Sequence, residues 1–314
     1  MPKLGDNPAD YIQPLSINGL DGRMLRVPST NAQKSREILF IYGHHAMIER
    51  WWGLVENLAN YGNVTMPDLP GFGGMESFYR INRRPDVDAF AGYLAAFIKL
   101  RYRNKKVTIY AVSFGFSVVT RMLQNYPELT NKVELLVSVV GFMHKDDFWW
   151  SPRRRFVYRW VTRFFATRPV ALIIRYGALN RLVITGLTKT MPNSKHRFIE
   201  VTPDEFKQTM DFEIKLWQAN DVRTHWLTTS EFFTLDNTKK TVDLPVVHLV
   251  SEGDHYFNNI NVEQHMRRVF SDYKQFAIKS KAHTPHVTAG KKDMAVMLPA
   301  GLRRLLNKKS QGYN

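Results

Sequence analysis

One segment concentrates the chemistry of this chain: Val107-Thr108-Ile109-Tyr110-Ala111-Val112-Ser113-Phe114-Gly115-Phe116. An apolar strand candidate runs directly into a turn, and the turn runs directly into a helix candidate, with Ser113 at the apex. A turn of this kind pushes a serine hydroxyl beyond the edge of a sheet, where it can act as a nucleophile. The positions two before and two after the serine must be small, because they crowd against a neighbouring strand and helix. Gly115 meets that need, and Ala111 meets it with one extra methyl. Phe114 begins the helix, so its N–H has no helical carbonyl to bind and can face a developing oxyanion. The plain alternative is a serine in an ordinary strand-to-helix loop. A serine hydroxyl is a weak nucleophile near neutrality and needs a base within hydrogen-bond reach.

The flanking elements have a clear rhythm. Residues 37–42 form a continuous apolar run that ends in Gly43-His44-His45, as expected of a strand covered on both faces. Helical spacing follows at 51–61, a short strand at 63–66, helical spacing at 86–99, a strand at 106–110, a helix at 116–124 and a strand at 133–140. Such alternation predicts a parallel sheet with helices on both faces. Ahead of it, residues 11–17 and 23–27 read as a hairpin around the turn-rich stretch 18–22. From about 142 to 243 the chain has helical patterns and no clear buried strand. A strand at 245–250, a helix at 262–270 and a strand at 273–278 resume the rhythm, and 294–307 reads as a basic helical tail.

These motifs resemble the α/β-hydrolase superfamily over about residues 20–140 and 240–306. The resemblance implies an α/β-hydrolase fold, a mostly parallel central sheet flanked by helices. The core would be residues 1–141 and 243–314, and residues 142–242 an inserted helical cap. It also implies the chain order serine, acid, histidine. Lys281-Ala282-His283-Thr284-Pro285-His286 is similar to the family's Gly-His-x-Pro, which makes His283 the base, with His286 a near competitor. Ser251-Glu252-Gly253-Asp254 resembles Gly-x-x-Asp, with Ser251 in the glycine place. Asp254 would then hold the imidazole in its working tautomer. Glu252 sits two residues early, and Asp146 and Asp147 are the fallback acids after the preceding strand. Tyr42-Gly43-His44 stands where the family has His-Gly-x. The His44 amide becomes the second oxyanion donor, and Gly43 permits the close approach. Tyr42 in place of histidine leaves the loop's supporting hydrogen bonds open. The imidazoles of His44 and His45 either line the pocket or are ordinary loop polarity. Asp68-Leu69-Pro70-Gly71-Phe72-Gly73 resembles the family's Asp-x-Pro-Gly-x-Gly turn, and Asp68 reads as a loop stabiliser.

Composition bounds the rest. The chain has 314 residues, 44% hydrophobic and 13% aromatic, enough for one large core. It has no cysteine, which excludes disulfides, zinc-thiolate sites and a cysteine nucleophile. No metal is expected, because the His283/His286 pair has no third ligand, and no cofactor is needed. No secretory segment opens the chain and no apolar run of spanning length occurs, so the expectation is a cytoplasmic protein. The net charge of +16 reads as a solvated basic surface. The stretch Arg153 to Phe165 interleaves arginine with aromatics. The preferred reading is a cap helix with an apolar inner face and arginines outside. The alternative is a basic amphipathic helix in peripheral contact with an anionic membrane. No nucleic-acid motif accompanies it, so no nucleic acid is expected. The implied function is hydrolysis of a small carboxylic ester with an apolar part. Rivals are cleavage of a C–C bond, amide, thioester or lactone on the same residues, or a hydrolase-like binding protein without turnover.

Overall fold

The apolar runs expected to be covered on both faces lie at the centre of a sheet. In the computed structural model, which describes residues 4–5, 7–190, 202–280, 283 and 289–308, eight strands pair in the order β1-β2-β4-β3-β5-β6-β7-β8. They are β1 (Ile12–Ile17), β2 (Leu20–Val27), β3 (Glu37–Ile41), β4 (Asn63–Pro67), β5 (Val107–Val112), β6 (Val133–Val139), β7 (Val242–Ser251) and β8 (Phe270–Ile278). β1–β2 and β2–β4 are antiparallel, and the remaining pairs are parallel. All six residues of β5 are buried. The edges differ. β1 carries Pro14, whose missing N–H is tolerated on an edge strand, and β8 alternates buried Phe270, Tyr273 and Ile278 with exposed polar residues.

Helices α1 (Trp52–Leu58), α2 (Val87–Arg101) and α3 (Phe114–Asn125) connect the central strands. After β6 the chain passes through α4 (Pro152–Phe165), α5 (Arg168–Ile173), α6 (Arg181–Thr190), α7 (Pro203–Ala219) and α8 (Val222–Phe232), and returns as β7. β7 pairs directly with β6, Leu136 opposite Val246, so the long segment leaves and re-enters at one place in the sheet. Among the described residues it contains no strand. An isolated bridge from His144 to Asp236 joins its two ends, and one from Phe148 to Phe257 ties it to the core. Helix α9 (Asn259–Val269) joins β7 to β8, and α10 (Lys291–Met294) and α11 (Ala300–Asn307) close the chain. No helix among the described residues is long and apolar enough to cross a membrane.

Three expectations need correction. The hairpin turn is two residues, Asn18 and Gly19, both at positive φ, rather than the stretch 18–22. Leu20 is fully buried, which draws residues 20–22 into β2. The tail is not one helix, because Pro299 cannot continue a helical ladder and caps a new one instead. The third concerns α4. Most of its apolar residues face solvent, with Phe165 half-buried against Trp226, and its buried residue is Thr162, the reverse of the cap helix expected.

A buried carboxylate fixes the loops after β3 and β4. Asp68 is fully buried and accepts hydrogen bonds from Arg23 Nε (2.7 Å), Tyr42 Oη (2.8 Å), the Ile48 amide (3.2 Å) and the Gly74 amide (2.8 Å). Burial pushes its pKa up, against the pull of Arg23 and these donors. Arg23 also forms a two-pronged pair with Glu49 at 2.7 and 2.9 Å. Asp68 is therefore the loop stabiliser its motif suggests. The Tyr42 hydroxyl donates to Asp68 and accepts the Leu69 amide at 2.7 Å, so it supplies the support that the family's histidine would have given. Tyr42→Phe keeps the ring and deletes that link. It should lower the unfolding free energy by about 1–3 kcal/mol, the cost of a buried donor left without its acceptor. An unchanged urea midpoint would show that this hydroxyl anchors nothing.

Candidate active site

The turn after β5 is strained. Ser113 sits at φ 49 and ψ −120, outside the regions that L-residues favour. Three contacts hold it there. The Ser113 amide donates to Val139 O at 2.9 Å, tying the turn to the end of β6. Gly115 lies against the backbone of β3, where a Cβ would come within 2.4 Å of Tyr42 O and 2.8 Å of Ile41 O. A Cβ on Gly43 would meet Ser113 Cβ at 3.1 Å and Val112 O at 3.3 Å. The glycines thus permit two backbone approaches that side chains would block. Ala111 is fully buried, and the sheet accommodates its methyl.

Ser113 occupies the N-cap position of α3 but its side chain makes no capping bond. Its Oγ lies 3.0 Å from His283 Nε2 instead. His283 Nδ1 lies 2.7 Å from Asp254 Oδ2, and the Asp254 side chain is 1% exposed. A carboxylate can only accept, so Nδ1 carries the proton and Nε2 is left to accept from the serine hydroxyl. The other oxygen of Asp254 accepts the amides of Tyr256 (2.8 Å) and Phe257 (3.3 Å), a local turn that fixes the carboxylate's direction. The rings of Tyr256 and Phe257 then pack against the imidazole at 5.3 and 5.2 Å between centroids. Ser251, in the glycine place, has a use of its own, since its hydroxyl donates to Ser280 O at 3.0 Å. That bond joins the acid loop to the chain leading toward His283.

The rival acids are engaged elsewhere. Asp147 is buried, accepts the amides of Met143 and His144, and contacts His265 Nδ1 at 2.5 Å. Its carboxylate raises the pKa of His265. Asp146 pairs with Arg155 at 2.5 Å, and Glu252 is exposed. Ala282 and the rival base His286 lie outside the described residues.

The histidines after Gly43 are half-buried supports. His44 Nε2 lies 3.1 Å from His225 O and 2.8 Å from Thr228 Oγ1, both on α8. Burial lowers the pKa of His44 to about 4, so its ring is neutral. Phe72, Phe114 and Phe232 surround it. His45 packs at a tilt against Trp217, ring centroids 4.2 Å apart, and bonds Asn220 at 3.0 Å. Asn220 Oδ1 also accepts the Gly73 amide at 2.9 Å, and the Asp221 amide donates to Gly71 O at 2.8 Å. Sequence reasoning missed His225, Thr228, Asn220 and Asp221. They are common polar residues on helices, and no local pattern marks their contact with loops some 150 residues earlier. Among the described residues, no cluster of His, Asp and Glu could hold a metal ion.

The family model for the alpha/beta hydrolase fold matches residues 38–289. No curated protein sequence matches the chain. Among solved structures, an esterase from Thermogutta terrifontis is similar with a TM-score of 0.64 at 15% identity, covering 95% of this chain and 100% of that one. An epoxide hydrolase from Bacillus megaterium gives 0.62 at 15% identity, covering 94% and 100%. An N-formylmaleamic acid deformylase from Pseudomonas putida gives 0.56 at 16% identity, covering 87% and 94%. At these identities the likeness carries the fold and nothing finer. With most of its length matched, the chain belongs to the α/β-hydrolase fold family.

Proposed function

We propose that the protein is a serine hydrolase that cleaves a carboxylic ester through an acyl-enzyme. Ser113 Oγ attacks the acyl carbonyl while His283 Nε2 takes its proton. Asp254 orients the imidazole and stabilises its charged form. The amides of His44 and Phe114 hold the oxyanion. His283 then returns the proton to the leaving alcohol, and a water repeats the sequence to release the acid. Residues 142–242 act as the cap.

The observation that carries this reading is the continuous serine–histidine–aspartate relay at 3.0 and 2.7 Å, mounted on a turn at positive φ. The chemistry of the nucleophile favours acyl transfer over epoxide opening. A hydroxyl that opened an epoxide would be left as an alkyl ether, which the same base and a water do not cleave. An acyl-serine is an ester and turns over.

Wild-type protein should be labelled by a fluorophosphonate and should hydrolyse para-nitrophenyl esters. Ser113→Ala should lose both while its thermal melt is unchanged. A wild-type protein that takes no label and turns over no ester, thioester or lactone would be a binding protein instead.

Asp254→Asn should keep the fold and lower kcat by about 10⁴-fold, as expected when the imidazole is held in the wrong tautomer. An Asp147→Asn enzyme should instead keep kcat within about tenfold, because that carboxylate serves His265. The reverse outcome would move the acid to the preceding strand.

A further inference from the structure

Helix α4 wears its apolar stripe on the outside. Phe156, Val157, Trp160, Val161 and Phe164 recur at i, i+1, i+4, i+5 and i+8, and all are between 43% and 61% exposed. The opposite side, with Thr162 and the following Ala166 buried, rests on α8. Further along the same segment Leu172, Ile173, Tyr176, Leu182 and Val183 are also exposed. A soluble surface rarely leaves so many large apolar side chains together without an occupant.

Along this segment the charge has one sign, and two of its arginines pair with acids outside it, Arg155 with Asp146 and Arg181 with Asp211. From Phe148 to Thr190 the chain carries eight arginines, Lys189 and no acidic residue. Guanidiniums flank the aromatic rings, with Arg154 4.6 Å from Trp150 and Arg163 5.6 Å from Trp160. At the corner between α4 and α5 lies a hollow of about 560 Å³, lined by Tyr79, Asn82, Arg83, Arg84, Arg168 and Arg223. Arg168 opens α5, and Arg223 Nε donates to Ala166 O at the end of α4. Arg84 is paired with Glu231, and the hollow's lining includes no carboxylate.

An occupant must therefore present acyl or other apolar matter together with dense negative charge. A second copy of this chain brings the same cations to a two-fold contact, which like charges oppose. A bilayer surface fits both demands at once. We propose that α4, with the exposed faces of α5 and α6, docks this protein peripherally on a bilayer containing anionic phospholipid. The apolar stripe enters the boundary between headgroups and acyl chains. The arginines, including those of the hollow, meet the phosphates.

The test uses the full chain carrying Ser113→Ala, so that lipid turnover plays no part and docking is read apart from hydrolysis. It is sedimented with vesicles of phosphatidylcholine alone or mixed with phosphatidylglycerol. Binding should be at least about tenfold tighter to the mixed vesicles and should weaken with added salt. Trp160→Ser with Phe164→Ser should lower it about tenfold, with the thermal melt unchanged, and Arg153→Gln with Arg168→Gln should do the same for mixed vesicles only. Four results would overturn the proposal. They are no binding to either vesicle, equal binding to both, a vesicle-free oligomer abolished by Trp160→Ser, or tighter capture by poly-glutamate than by lipid that ignores Trp160.

Discussion

The conformation of Ser113 is the constraint on which the rest of the structure depends. A serine at φ 49 costs on the order of 1–3 kcal/mol relative to a relaxed backbone. It persists because its surroundings leave no other place for the chain. β5 enters the turn buried along its whole length, and α3 leaves it with Phe114, Phe116, Val118 and Val119 buried. Relaxing the turn would pull one of these elements off the core. The amide of Ser113 is meanwhile bonded to β6 and Gly115 abuts β3, so the turn is clamped from both neighbouring strands. Strain stored in this way aims the hydroxyl without using its hydrogen bonds, which leaves Oγ available to an imidazole.

A parallel sheet makes the rest of the assembly possible. Strands that run the same way end at the same edge, so the residues that follow β3, β5 and β7 meet there despite wide separation in the chain. Gly43 follows β3, Ser113 follows β5 and Asp254 follows β7, while the chain beyond β8 supplies His283. Each loop has its own local support. The β3 loop hangs on Tyr42 and Asp68, the β7 loop on the amides that Asp254 collects, and the chain after β8 on Ser251. Substituting one support should therefore disturb one group at a time.

How much of this was legible in the sequence follows from the range of each interaction. The strand–turn–helix around Ser113 is local and was readable from residue type alone. The alternation of elements was equally readable, since continuous apolar runs and helical spacing record burial directly. Asp254 and His283 carried no such physical mark. They were reached through likeness to a family, and the structure brings Asp254 within hydrogen-bond distance of His283 and His283 within hydrogen-bond distance of Ser113. Tyr42 and Ser251 looked like departures from a motif. Each proves to have a hydroxyl in use, which a pattern of permitted residues does not reveal. The grip of His225, Thr228 and Asn220 on the loops after β3 and β4 was illegible for a different reason. It is a contact between a helix and loops far apart in sequence, with no periodicity on either side.

The orientation of α4 exposes a further limit of pattern reading. Periodicity shows that a helix has two faces, but not which of them meets protein. The deciding information lies in what the neighbouring helix offers. α8 uses His225 and Thr228 against the loop after Gly43, and the rings of Phe232 and Phe233 pack against Phe148, Trp150 and Tyr158. Those rings, with Phe165 of α4 against Trp226, line the side of α8 that α4 approaches, and Thr162 and Ala166 are buried there. Phe156, Trp160 and Phe164 are left outside this contact. Phe114, beside Ser113, touches Phe232, which stacks on Phe148, which reaches Trp150 and then Tyr158 of α4.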